Sequence, residues 1–294
     1  MVAVESAELN PVLIFTPFSV SDSSPPLAMP MPVSSVRKKI ASGEPIICAK
    51  ASYQDPAVVE LIGTFGFDAI WVCLEHKKMD PAAVYAYIQA CRLNGVDALM
   101  RVKPGNYTDL LWLLESGARG LMLPRVRHVD EARELVDAMK FPPVGRRGYD
   151  GVHAESNFGH MSPADYIRDA NRENYLVVQI EEPEVVPHIE AIAALPGADI
   201  LFVGPGDLTL GLGKFGQIDD PEVTAILRQV TAACKRHGKV AAIPCAPDQV
   251  KKFYDMGFRF FNVISDFRSV FNGMKKAQAD VSAFTNGLKP GARP

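Results

Sequence analysis

From Ile46 onward, short β-rich apolar runs alternate with longer stretches in which apolar residues recur at helical spacing. The apolar runs predict eight strands: 45–51 (PIICAKA), 69–75 (AIWVCLE), 97–102 (DALMRV), 120–124 (GLMLP), 175–181 (YLVVQIE), 200–204 (ILFVG), 240–245 (VAAIPC) and 260–265 (FFNVIS). Between and after them, helices are predicted over 55–65, 80–94, 107–116, 129–140, 184–195, 221–237, 247–256 and 267–284. Three of these open on an Asp-Pro pair, Asp55-Pro56, Asp80-Pro81 and Asp220-Pro221. There the carboxylate can accept the first free amides and proline suits the first turn. The strands are continuously apolar rather than alternating, so they are buried on both faces. Eight such strands, each followed by a helix, predict an α/β fold of the closed (β/α)8 TIM-barrel type. No GxGxxG follows the first strand, which argues against an open dinucleotide-binding sheet.

Three segments fall outside the repeat. Residues 1–35 begin acidic, carry one apolar patch (NPVLIFTPF) and then run rich in Ser and Pro. They lack the basic start and cleavage site of a secretory or transit signal and read as a flexible arm. The barrel is expected over 36–285 and a tail over 286–294. The connection 141–174 is long and rich in Gly, Arg, His and Asn, a profile expected of a functional or mobile loop.

Composition narrows the function without naming it. The formal net charge of -3 supplies no basic field for nucleic acid or anionic lipid. No apolar run approaches the roughly 20 residues that cross a bilayer. The five cysteines are an odd number and form no CxxC, which fits a reducing, cytoplasmic compartment better than disulfides or zinc.

In such a barrel, catalytic groups come from the C-terminal ends of strands and the loops after them. Lys50, Glu75, His76, Arg101, Lys103, Arg125, Gln179, Glu181, Asp207, Ser265 and Asp266 meet that test. Glu181 and Asp207 follow consecutive strands and should converge over one sector of the mouth. Two carboxylates with few other protein ligands suit a hard divalent ion such as Mg2+ or Mn2+. The competing reading is a pair of helix-capping or ion-paired acids. The glycine-rich GPGDLTLGLG (204–213) lacks the lysine and serine of a P-loop and instead lets backbone amides approach a small anion. His76 can exchange a proton near neutral pH, or serve as a structural histidine. Arg101 follows DALM and needs an anionic partner, either a substrate oxygen or a carboxylate such as Glu75. Lys50 and Lys103 raise a rival route, a Schiff base with a keto substrate.

FDAIWVCLEH (67–76), LMRVK (99–103), LLESGARGLMLPRV (113–126), FPPVGRRGYDG (141–151), VVQIEEPE (177–184) and PGADILFVGPGDLTLGLG (196–213) together resemble the HpcH/HpaI family of metal-dependent pyruvate aldolases over about 36–280. The resemblance implies a TIM-type barrel, assembled as a homohexamer, that cleaves or forms 4-hydroxy-2-oxo acids with pyruvate and an aldehyde as partners. It implies that Glu181 and Asp207 hold a divalent metal (Mg2+, Mn2+ or Co2+) and that Gln179 and Arg101 address the pyruvyl oxygens. His76 would move a proton, and the amides of Gly206 and Asp207 would receive the carboxylate. The chain departs from the family pattern at Cys73, where an aspartate is common, and at Glu115, where the family's L-L-D aspartate stands; Glu115 is carried as a catalytic candidate. HKKMD (76–80) and AAIPC (241–245) also differ, and Lys77 and Lys78 at the rim would favour an anionic or polyhydroxylated aldehyde. A decarboxylase acting on oxaloacetate through the same enolate, and a barrel that binds a 2-oxo acid without turnover, are the alternatives.

Overall fold

The computed structural model describes residues 30–102 and 105–286. The chain runs α1 (Ser35–Ser42), β1 (Ile46–Ala51), α2 (Pro56–Gly63), β2 (Ala69–Cys73), α3 (Pro81–Leu93), β3 (Asp97–Arg101), α4 (Tyr107–Glu115), β4 (Gly120–Leu123), α5 (Val129–Met139) and α6 (Pro163–Glu173). It continues through β5 (Tyr175–Ile180), α7 (Ile189–Ala194), β6 (Ala198–Val203), α8 (Pro205–Gly211), α9 (Pro221–Arg236), β7 (Val240–Pro244), α10 (Val250–Asp255), β8 (Phe260–Ser265) and α11 (Asp266–Asn286). All eight strands pair in parallel with their sequence neighbours, and β8 closes on β1, so the sheet is the expected barrel.

Strand side chains alternate between the lumen and the helix layer. Ile46, Cys48, Trp71, Leu99, Met122, Tyr175, Val177, Ile200, Phe202 and Phe260 fill the lumen as one cluster. The opposite faces, such as Val72, Met100, Val178 and Leu201, pack against the helices in a second, larger cluster. The lumen is therefore a packed floor, and only its upper end is left for polar side chains. The Asp-Pro pairs behave as read: Asp55, Asp80 and Asp220 each accept from the amide two residues on.

Besides α6 and α8, three helical segments depart from the expected repeat. α1 precedes the barrel and closes its lower end, with Val36 in the lumen cluster and Ile40 packed against it. Its cap Ser34 and the amides of Ser35 and Val36 all bind the buried carboxylate of Asp97. Of the arm expected over 1–35, residues 1–29 lie outside the described residues. The described end is packed, with Met31 buried against Phe141 and Tyr166. The tail lies outside the described residues except for Asn286. The helix expected over 184–195 is a 3-10 turn, Pro183–His188, followed by α7, because Pro187 cannot continue a regular ladder. The one expected over 247–256 begins in the same way, with a 3-10 turn over Pro247–Gln249.

The connection 141–174 is more ordered than an open loop. It contains α6 and a buried network in which Arg147 binds Glu155 at 2.6 Å and Tyr166 at 3.0 Å, while Asn174 also donates to Glu155. It joins the end of a helix to the start of a strand, and this network lies at the end of the barrel remote from the catalytic mouth, while Gly148 reaches back to donate to Tyr107 at the start of α4. Arg147, Glu155 and Asn174 brace the floor.

Candidate active site

At the mouth, β1, β2, β3 and β5 carry Lys50, Cys73, Arg101 and Gln179 at or next to their last residue, each on a lumen-facing position. Arg101 is 4% exposed and lies at the centre of the group. Its Nη1 donates to Gln179 Oε1 at 3.4 Å and its Nη2 to Cys73 Sγ at 2.9 Å. Its Nε sits 3.2 Å from Glu75 Oε2, an ion pair without hydrogen-bond alignment. Beneath it, the guanidinium carbon lies 4.9 Å from the centre of the Trp71 ring. Of the two uses of Arg101 open from sequence, the pairing with Glu75 is seen, and the guanidinium also lies at the mouth.

Gln179 passes the row on to the acids, its Nε2 donating to Glu181 Oε2 at 2.9 Å. Glu181 is buried, and its other oxygen accepts the backbone N–H of Arg125 at 2.7 Å. Arg125 takes a left-handed conformation, φ 55°, that turns this amide toward Glu181. Gly204 is needed for close approach, since a Cβ there would meet Glu181 Oε2 at 2.3 Å. Burial pushes the Glu181 carboxyl up to about 7, against the Arg125 amide and with the help of the Asp207 charge. Asp207, half-exposed at the first turn of α8, has Arg125 Nη1 at 4.0 Å as its one ion-pair contact among the described residues. Two carboxylates that repel each other, one of them buried and short of positive charge, are the donor set a hard divalent cation suits. Among the described residues no cluster of three or more His, Cys, Asp or Glu is placed to hold a metal. An ion here would thus have Glu181 and Asp207 as its protein ligands and water or substrate oxygens for the rest.

The remaining candidates are distributed unevenly. His76 is exposed at the rim, its Nε2 3.7 Å from Glu75 and its amide 3.4 Å from Cys73 Sγ. Gly206 lies in the first turn of α8, which no side chain caps, and a Cβ on it would meet nothing within 4 Å. Lys50 reaches the mouth with its Nζ 4.3 Å from the Trp71 ring centre. Lys77 and Lys78 line a separate cavity against α4, with Met79 and Trp112. Lys103 lies outside the described residues. Glu115 is not brought to the mouth: it ends α4, at the other end of the barrel, where His153 Nε2 is 3.8 Å away. Helices run back down the barrel, so a residue closing one meets the floor.

Sequence reading left Trp71 out, although its indole carries both Lys50 and Arg101, because a tryptophan inside an apolar run signals core. Arg125 appeared there only as a strand-end charge. Its amide acts through a backbone conformation that side-chain patterns do not reveal.

Comparison with known proteins fits this geometry. A family model described as HpcH/HpaI aldolase/citrate lyase matches residues 51–273. A hydroxypyruvate/pyruvate aldolase of Delftia acidovorans is 33% identical over 80% of this chain and 87% of its own. A 4-hydroxy-2-oxo-heptane-1,7-dioate aldolase of Escherichia coli is 29% identical over 88% and 98%. The crystal structure of an HpcH/HpaI aldolase from Desulfitobacterium hafniense superposes with a TM-score of 0.78 at 26% identity, over 88% of this chain and 99% of that one. An eight-stranded barrel with two acids, a glutamine and an arginine joined at its mouth, matched along most of its length, places this chain in the HpcH/HpaI aldolase/citrate lyase family.

Proposed function

We propose that this lyase is a divalent-metal-dependent pyruvate aldolase, cleaving 4-hydroxy-2-oxo acids to pyruvate and an aldehyde or running the reverse addition. The observation that carries the reading is the unbroken polar row Glu75, Arg101, Gln179 and Glu181 across the mouth, beside Asp207. Glu181 and Asp207 would hold Mg2+, Mn2+ or Co2+, which when bound supplies Lewis-acid stabilisation of charge on the 2-oxo acid. The first turn of α8 at Gly206 and Asp207 has open space for the substrate carboxylate. Gln179 and Arg101 address the pyruvyl oxygens. His76 removes the C4 hydroxyl proton, the C3–C4 bond breaks to release the aldehyde, and its electrons form the enolate of pyruvate. Arg101 stabilises that negative charge, and protonation at C3 completes pyruvate.

One observation favours a second reading, decarboxylation of oxaloacetate through the same enolate. Among the described residues His76 has no hydrogen-bonded acid behind it, since Cys73 faces its amide and Glu75 stands at 3.7 Å. Loss of CO2 needs no base at a C4 hydroxyl, so a weak His76 relay would spare it. Pyruvate release from oxaloacetate and from a panel of 4-hydroxy-2-oxo acids, with each metal added in turn, separates the two. A barrel that only binds a 2-oxo acid releases pyruvate from neither. Glu181→Gln and Asp207→Asn should each abolish metal-dependent turnover while the fold stays intact; full activity after exhaustive chelation would refute the metal assignment.

The chain is further proposed to act as a homo-oligomer, a hexamer on the family resemblance. Phe267, Val270, Phe271, Met274, Val281 and Phe284 form one exposed apolar stripe on α11, which supports burial against another copy. No described helix is long and apolar enough to cross a membrane. Five unpaired thiols support a reducing, cytoplasmic setting.

A further inference from the structure

A second cavity, of about 770 Å3, opens on the other side of the mouth from Glu181, over the ends of β7, β8 and β1 and the start of α11. Lys50, Trp71, Asn262, Ser265 and Arg268 line it. Neither Lys50 nor Arg268 has a carboxylate within ion-pair distance among the described residues. Asp266, the acid nearest in sequence, is committed elsewhere: its carboxylate accepts the amides of Ser52, Tyr53 and Phe267. Two residues of the lining, Trp71 and Asn262, each carry a buried polar atom with no hydrogen-bond partner among the described residues, Nε1 and Oδ1. Burial lowers the pKa of Lys50, and the Arg101 guanidinium and Lys77 add to the effect, outweighing Cys73 and Asp266. Positive charge is thus gathered here without its complement.

Trp71 links the cavity to the reacting centre. Arg101, which addresses the keto oxygen in the proposed mechanism, and Lys50 lie against the same indole, at 4.9 and 4.3 Å from its centre. We infer that this cavity is the half-site for the aldehyde, and that it selects aldehydes with an anionic group at the far end, held by Lys50 and Arg268. This rests on the aldolase reading and deepens it. It assigns acceptor selection to Lys50 and Arg268 rather than to Lys77 and Lys78, which line a different, largely apolar cavity. It also gives Lys50 a role other than Schiff-base formation.

The test is the ratio of kcat/KM for anionic over neutral aldehydes in pyruvate addition, measured for wild type, Lys50→Met and Arg268→Gln. Succinic semialdehyde and glyceraldehyde 3-phosphate supply a carboxylate and a phosphate, against butanal and glyceraldehyde as neutral counterparts. Wild type should prefer at least one anionic acceptor, and each variant should lower that ratio roughly ten- to a hundredfold, the loss expected of one charge-assisted hydrogen bond. Arg268 is exposed on α11, so its variant guards against a folding defect at Lys50. No preference in wild type, or a loss shared equally by anionic and neutral aldehydes, overturns the inference. So does a borohydride-trapped pyruvate adduct on Lys50. Exchange of the pyruvate methyl protons in deuterated water, followed by NMR on wild type, reports the enolate step with no acceptor present. Exchange without anionic preference refutes this inference alone, whereas absence of exchange with every metal refutes the aldolase reading and this inference with it.

Discussion

Arg101 holds three of its neighbours at once, Glu75, Cys73 and Gln179, and each contact fixes a different nitrogen of the guanidinium. A lysine would keep the charge and lose the planar fork. Arg101→Lys is therefore expected to slow aldol cleavage and oxaloacetate decarboxylation together by roughly a hundredfold, near the 3 kcal/mol of an oxyanion donor. Melting temperature measured beside turnover decides between roles, since an arginine that only pairs with Glu75 would yield an early-melting protein with normal turnover per folded molecule. His76 makes the opposite kind of contribution. Exposed and loosely placed, it should matter for proton transfer and little for binding, so His76→Ala is expected to cut kcat of aldol cleavage by about 10²–10⁴ with KM nearly unchanged. If the decarboxylase reading holds, the same variant keeps its activity on oxaloacetate.

At the scale of elements, α1 is tied to the barrel through one acid. Asp97, on the lumen side of β3, accepts from Ser34, Ser35 and Val36. Burial still pushes its carboxyl up from 3.8 to about 6. Between those values the folded chain binds more protons than the unfolded one, so this group makes stability fall as pH rises from about 4 to 6. Above 6 its contribution is flat. Measured against Asp97→Asn by denaturant unfolding, the wild type should gain up to about 3 kcal/mol as pH falls from 6 to 4. A difference constant over that window would show that the three hydrogen bonds hold Asp97 ionised throughout.

For the whole molecule, the exposed stripe of α11 sets the expectation. A helix of 21 residues with Phe267, Val270, Phe271 and Met274 in water is an aggregation hazard unless another surface covers it. Val270→Asp combined with Phe271→Asp should shift the protein to smaller species in sedimentation velocity, and a monomeric wild type would refute the proposed assembly. Assembly and chemistry are separable in this test, because neither residue lines the mouth.

Strand and helix periods are local properties, and so the eight strands, the Asp-Pro helix starts and the barrel itself were legible in the amino-acid order. Polar residues that terminate apolar strands were legible too, which is why Arg101, Gln179 and Glu181 could be named and do meet. α6 was missed although Ser162-Pro163 is the same cap-and-proline signal, its helix hidden in a connection rich in Gly and Asn. α8 was missed because GPGDLTLGLG reads as loop, whereas Pro205 and the packing of Leu208 turn it into a helix. Tertiary structure alone decided the rest: that Glu115 meets His153 at the floor, that Trp71 carries two cations, and that the Arg125 amide turns back on Glu181. Periodicity records which face of an element is buried. Which groups meet across the barrel depends on strand register and on single backbone torsions, to which no short stretch of sequence is sensitive.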